Sequence, residues 1–218
     1  KGWTLEYDHY DPAHEGLRES LCVLGNGYFA TRGAQEVSHA DGIHYPGTYL
    51  AGGYNRLRTE VSGQVIENED LVNFPNWLPL NFRIDGENWF SLDAVTILSY
   101  RQILHMRDGV LLRTVRFRST NGRETTLTTR RFVSMHNQHY AAIELSLQAD
   151  NWDADIEIVS ALDGRVENAG VKRYRQLNSR HLDHLAANHF GEENMFIEVR
   201  TNQSHIHVAE AARTCLSL

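Results

Sequence analysis

Three dipeptides, Asp85-Gly86, Asp108-Gly109 and Asn121-Gly122, each stand between β-rich runs, and each suits the left-handed backbone of a two-residue hairpin loop. They predict three antiparallel hairpins: Asn81–Ile84 against Glu87–Phe90, Tyr100–Met106 against Val110–Phe117, and Val110–Arg118 against Arg123–Val133. In the last, Thr125, Thr126, Thr128 and Thr129 suit a pleated, partly solvated surface. Ile143, Leu145, Leu147 and Ala149 alternate with Glu144, Ser146, Gln148 and Asp150, the period of a sheet with one buried face. Ile156, Ile158 and Leu162 continue that pattern. After the polar stretch Asp163–Gly191 it returns at Ile197 and Val199, then at Ile206 and Val208. Helical signals are confined to Pro12–Glu19 and His181–His189, neither with a long apolar stripe. The expectation is a mainly β chain of antiparallel hairpins with few short helices, as a sandwich or partly closed barrel. The four prolines, at 12, 46, 75 and 79, mark no linker, so residues 1–218 read as a single domain. The first 80 residues, rich in Gly, Tyr, Asn and Pro, read as long ordered loops over the sheets, a place where function or an interface usually sits.

Composition narrows the classes. Apolar residues make up 41% and charged residues 22% of 218, ordinary values for a globular protein. No run of about 18 apolar residues offers a membrane span, and Lys1–Glu6 carries no apolar signal core. The net charge of -7 repels phosphate polymers, which argues against nucleic acid as a partner. Cys22 and Cys215 match no metal or redox spacing and read as free core thiols of a reducing, cytoplasmic compartment, with a bridge between them left open.

The glycine run Leu24-Gly25-Asn26-Gly27-Tyr28 lacks the spacing of a dinucleotide loop and the Lys-Ser/Thr of a phosphate loop, and reads as a tight turn between strands. Among twelve histidines, His181-x-x-His184 and His205-x-His207 are the closest pairs. No Glu completes an H-E-x-x-H site, and on a strand His205 and His207 share a solvated face, so no metal is expected. No serine stands in a nucleophile elbow. Glu67, Asn68, Glu69 and Asp70 precede a loop carrying Asn73, Asn76 and Trp77. Acids, amides and an indole are the groups that hold a sugar, and two acids suit glycoside hydrolysis. The plainer reading has the acids bracing the loop through arginines or backbone amides, with sugar contact and interdomain contact both open. A second aromatic stretch, Tyr45, Tyr49, Tyr54 and Arg56, has the composition of a partner surface or a ligand rim.

Taken in order, Leu24–Tyr28, Thr31-Arg32-Gly33, Pro46–Tyr49, Asn68–Asn73, Pro75–Pro79, Arg113–Phe117 and Arg130-Arg131 resemble the N-terminal domain of glycoside hydrolase family 65, from about Trp3 to the C-terminus. That family holds maltose, trehalose and kojibiose phosphorylases and some trehalose hydrolases. The resemblance implies an antiparallel β super-sandwich of the galactose-mutarotase type, followed by a catalytic (α/α) barrel and a small β-domain. Its general acid lies in the barrel. Inorganic phosphate, the co-substrate of a phosphorylase, binds there too, so no cofactor is expected in this chain. The barrel's Trp-Asp and Trp-Glu motifs are absent, since Trp152-Asp153 stands in a strand-linking segment, and no catalytic residue carries over. The chain is then a non-catalytic module, about a quarter to a third of an enzyme acting on α-linked glucose disaccharides, and Leu216-Ser217-Leu218 falls before the sandwich's last expected strands. Its implied partners are the barrel of the same polypeptide, the disaccharide at the rim of the barrel's pocket, and a second copy through a homodimer interface. Two other classes stay in view: a stand-alone carbohydrate-binding module built around Trp77, and mutarotase-like acid/base chemistry by a converging His44 and Glu69.

Overall fold

The structure, a computed structural model, describes residues 2–169 and 177–217, so positions 170–176 of the polar stretch Asp163–Gly191 lie outside the described residues. In chain order the strands are β1 (Thr4–Tyr7), β2 (Leu24–Gly25), β3 (Phe29–Thr31), β4 (Thr48–Leu50), β5 (Tyr54–Val61), β6 (Gln64–Leu71), β7 (Leu80–Ile84), β8 (Thr96–His105), β9 (Val110–Arg118), β10 (Glu124–Val133), β11 (Ala141–Ala149), β12 (Ile156–Ser160), β13 (Leu182–Phe190), β14 (Asn194–Thr201) and β15 (His207–Arg213). Among the described residues one α-helix, α1 (Glu15–Leu21), follows a 3-10 turn at Pro12–His14. The mainly β expectation holds. The chain packs as two compact units, residues 1–46 with 80–159, and residues 47–79 with 160–218.

In the first unit a five-stranded antiparallel sheet runs β1-β8-β9-β10-β11. Its register sets Tyr100, Val115, Leu127 and Leu147 in one row and Gln102, Arg113, Thr129 and Leu145 in the next. The first row belongs to an apolar cluster with Phe82, Phe90 and Phe117, where the Phe82 and Phe90 rings stack at 4.9 Å. A second cluster, Cys22, Leu24, Leu104, Leu111 and Val133, lies on the other side of the polar row. Burial of such side chains is worth about 1.5–3 kcal/mol each and is the main force holding the sheet's covering segments in place.

Several expectations change. The loops after His105 and Arg118 span four and five residues, 106–109 and 119–123, not two. Asp85-Gly86 does make a turn with both φ values positive, and Phe90 N–H donates to Phe82 C=O, but Glu87–Phe90 forms no strand. β7 instead pairs with β12, a partner far along the chain that no local turn signal announces. Thr125 and Thr129 point inward and are buried, while Thr126 and Thr128 face outward, because strand parity decides side and not residue type. Ile156 and Ile158 are 42% and 38% exposed, on a strand that pairs only with β7. Trp152 links β11 to β12 and donates its indole N–H to Glu124 C=O at 2.9 Å.

The second unit holds the β5–β6 hairpin and the sheet β13-β14-β15. Ser62-Gly63 closes the hairpin as a two-residue turn, with φ of 54° and 78°, a hairpin not among the three expected. The unit's core is Val72, Phe74, Ile197 and Val199, with Leu50, Leu162, Leu182 and Val208 against it. The helix expected at His181–His189 is replaced by strand β13, whose pairing with β14 satisfies its backbone. Local helical spacing loses to that ladder. His205 is no strand residue either: it sits at φ 57° in the turn between β14 and β15. Cys22 is a buried free thiol as expected, whereas Cys215 is exposed, in the tail beyond β15, and also free.

Candidate functional site

The acids of the sequence motif lie on strand β6, not on a loop, and the period of two sorts them by face. Glu67 and Glu69 point outward opposite Arg58 and Arg56 in register. Arg56 donates to Glu69 at 2.7 Å and Arg58 to Glu67 at 2.9 Å. Half-exposed cross-strand pairs of this kind contribute about 0.2–1 kcal/mol each. The bracing role is therefore the one the geometry supports for these two glutamates.

Asn68 and Asp70 point inward with Asn55 and Leu57, and here the unit builds its most ordered polar centre. Asn55, 1% exposed, accepts from the backbone N–H of Gln203 at 3.1 Å and of Ser204 at 2.9 Å, which fixes its amide orientation. Its Nδ2 then donates to Asn202 Oδ1 at 2.8 Å and faces His181 Nδ1 at 3.1 Å. A donor at Nδ1 makes that nitrogen the acceptor and leaves the proton on Nε2, which lies 3.4 Å from Asp70 Oδ2. Asn68 Nδ2 donates to the same carboxylate oxygen. Burial pushes the His181 imidazole below its ordinary pKa against the pull of Asp70, which favours the neutral ring. A neutral histidine with a defined tautomer beside a partly exposed carboxylate is able to hold or pass a proton. Here it also ties β5–β6 to β13 and to the β14–β15 turn.

The remaining candidates disperse. In 72–79 the apolar residues Val72, Phe74 and Leu78 are core. The amides serve the backbone: Asn73 Oδ1 accepts from Thr48 N–H at 3.0 Å, and Asn76 Oδ1 from Leu78 N–H at 3.1 Å. Trp77 is half-buried, with its indole nitrogen enclosed. The aromatic stretch is likewise not one continuous loop. Tyr49 lies on β4 and Tyr54 opens β5, half exposed. Tyr45, in the first unit, has its ring 5.4 Å from the Arg32 guanidinium. His44, in the first unit, bonds Glu19 Oε1 through Nδ1 at 2.8 Å, and Glu69, in the second, bonds Arg56. Among the described residues no group of three or more His, Cys, Asp or Glu side chains is placed to hold a metal ion.

Sequence reasoning missed Asn55 altogether and weighed His181 only as half of a metal pair. An asparagine that bonds five groups leaves no spacing signature. It also missed a buried ionic belt in the first unit. Arg113 donates to Glu36 at 3.0 Å and to Gln102 Oε1 at 3.0–3.1 Å, and Arg131 lies 3.7 Å from the other Glu36 oxygen. Beside it Glu15 bonds Arg18 and Gln35.

Comparison with known proteins matches residues 5–218 to the model of the glycosyl hydrolase family 65 N-terminal domain. A glycosyl hydrolase of Mycobacterium tuberculosis, itself uncharacterized, is 45% identical over 98% of this chain, which covers 16% of that protein. A kojibiose phosphorylase of Halothermothrix orenii is 29% identical over 98% of the chain and 25% of its own length. A trehalose 6-phosphate phosphorylase of Lactococcus lactis is 33% identical over 84% of the chain and 23% of its own length. A solved structure named "Putative kojibiose phosphorylase from human microbiome" superposes on the whole chain and on 28% of its own, with a TM-score of 0.84 at 21% identity. The likeness extends to the fold, as the β-rich reading required. The chain spans a sixth to a quarter of the curated relatives it matches.

Proposed function

The chain belongs to the glycosyl hydrolase family 65 N-terminal domain, and on that premise we propose that it is the non-catalytic N-terminal module of a longer cytoplasmic enzyme acting on an α-linked glucose disaccharide of the maltose, trehalose or kojibiose type. In this reading it packs on the enzyme's catalytic barrel, rims the sugar pocket, and leaves the general acid and the inorganic phosphate of a phosphorolysis to the barrel. The observation that carries it is the match along almost the full chain to a domain that, in the phosphorylases it resembles, makes up about a quarter of the protein.

The geometry supports a scaffold more than a catalyst. Glu67 and Glu69 are spent on Arg56 and Arg58, and Asn73 and Asn76 on backbone groups, so these side chains already have partners. The same fact weighs against a stand-alone sugar module in 67–80, where free amides and acids would have to meet hydroxyls. No helix of the described residues is long and apolar enough to cross a membrane.

The test is an assay of the longer protein and of the 218-residue chain with maltose, trehalose or kojibiose and inorganic phosphate. The longer protein is expected to release glucose and glucose 1-phosphate from one of them, and the 218-residue chain to release neither. Turnover by the short chain would sink the proposal, as would a longer protein inactive on all three.

A further inference from the structure

Helix α1 is built inside out. Its polar residues Glu15, Arg18 and Glu19 are 1%, 5% and 1% exposed, while Leu17 and Leu21 are 57% and 51% exposed. Residues four apart share a helical face, so the two leucines form one outward apolar ridge. Ile43 is 46% exposed, and its carbonyl oxygen lies where a Cβ on Gly16 would come within 2.6 Å, which places its backbone directly against the helix. Val23, 40% exposed, stands just past the helix end.

The inversion is firmly held. Arg18 donates to Glu15 at 3.1 Å and to the His9 carbonyl at 2.7 Å, and Gln35 donates to Glu15 at 2.8 Å. Glu19 accepts from His44 and from the Tyr45 N–H. Turning the helix to hide Leu17 and Leu21 would strand two buried carboxylates and a guanidinium without their partners. A surface helix of a globular domain normally turns its apolar stripe to the core. A contiguous apolar ridge facing water on a fixed helix marks a contact surface.

We propose that the Leu17–Leu21 ridge, with Val23 and Ile43, is the seat on which the remainder of the longer polypeptide docks. The proposal rests on the N-terminal-module reading and deepens it by naming the surface. Two observations select this occupant. The chain covers only 16–25% of its curated relatives and 28% of the solved structure it matches, so most of the polypeptide that would lie beside it is outside the chain described. And four side chains about half exposed offer on the order of a few hundred Å² at most. A free dimer needs about 800 Å² from each partner. A tethered partner needs far less, because the linkage keeps its local concentration in the millimolar range.

The experiment uses the longer protein with Cys215→Ser and, in turn, Leu21→Cys or Leu17→Cys. Maleimide labelling of the introduced thiol is counted against the same protein without it. The expected result is native labelling at least tenfold slower than in denaturant, at every protein concentration. Labelling at the denatured rate for both positions overturns the proposal, and protection lost on dilution overturns it in favour of a second copy. The outcome is separate from the phosphorolysis assay: protection without activity sinks the functional reading alone, and activity without protection sinks this one alone.

Discussion

Arg113 Nη1 lies 3.0 Å from Glu36 Oε2, and both side chains are almost wholly buried, at 5% and 4% exposure. The other oxygen of Glu36 faces Arg131, whose Nε and Nη1 have no hydrogen-bond partner. One carboxylate thus offsets two buried guanidinium groups. Glu36→Gln keeps the shape and removes the charge, and is expected to lower stability by about 3–5 kcal/mol, the range for a buried pair losing one partner. Urea unfolding at neutral pH checks it, and a loss under about 1 kcal/mol would show the belt to be indifferent to that charge.

Two histidines are expected to give opposite pH dependences. The hydrogen bond to Glu19, stronger than the opposing effect of burial, raises the pKa of His44. A raised folded-state pKa gives stability that is complete below the unfolded value near ~6.5 and is lost as pH climbs through the folded value. His181 is depressed by burial, so its contribution is complete above ~6.5 and is lost as pH falls through the folded value. Against the parent chain, His44→Gln should therefore cost more at pH 5.5 than at pH 8.5, and His181→Gln the reverse. Denaturant midpoints across that window decide the matter, and matching trends would refute the assignment.

Asn55→Ala removes the partner of two backbone N–H groups, Asn202 Oδ1 and His181 at once. With buried groups left unpaired at about 1–3 kcal/mol each, partly relieved by relaxation, the loss should be about 3 kcal/mol. Hydrogen exchange is the sharper readout. The Gln203 and Ser204 amides should lose protection first, while those of β9 and β10 keep theirs.

Gly33 is a packing requirement and not a matter of backbone freedom. A Cβ there would meet Cys22 Cβ at 2.6 Å and the Cys22 carbonyl oxygen at 2.8 Å, and neither is the end of a flexible chain. Gly33→Ala should cost about 1–3 kcal/mol by overpacking, whereas Gly2→Ala, with open space around it, should be silent. Thermal unfolding of the two variants side by side tests the contrast.

The sequence was most readable where neighbours in the chain are neighbours in space. β8, β9 and β10 follow one another through short loops, so alternation and turn residues locate β9 and β10 to within a residue, while β8 begins at Thr96, four residues before the expected Tyr100. Readability failed where the partner is distant or the side is inverted. β7 finds β12 more than seventy residues on, and the helix read at His181–His189 is overruled by the β14 ladder. The site fared likewise. Arginine bracing of Glu67 and Glu69 was legible from opposite charges near one another, but which acids turn inward depended on a strand boundary that composition hides. Helix α1 was signalled at Pro12–Glu19, but its buried face was not legible by the usual rule, because its charged residues are the buried ones.

The polar row Gln102–Arg113–Thr129, set between two apolar clusters, bears on how the sheet avoids mispairing. A slip of one residue flips every side chain to the other face and is heavily disfavoured. Sliding β9 by two residues, by contrast, keeps every inward side chain inward, and hydrophobicity alone would scarcely object. It would, however, set Arg113 among phenylalanine rings and bring an aliphatic side chain up to Glu36. The buried charges thus work as a key that only one alignment of the strands can turn.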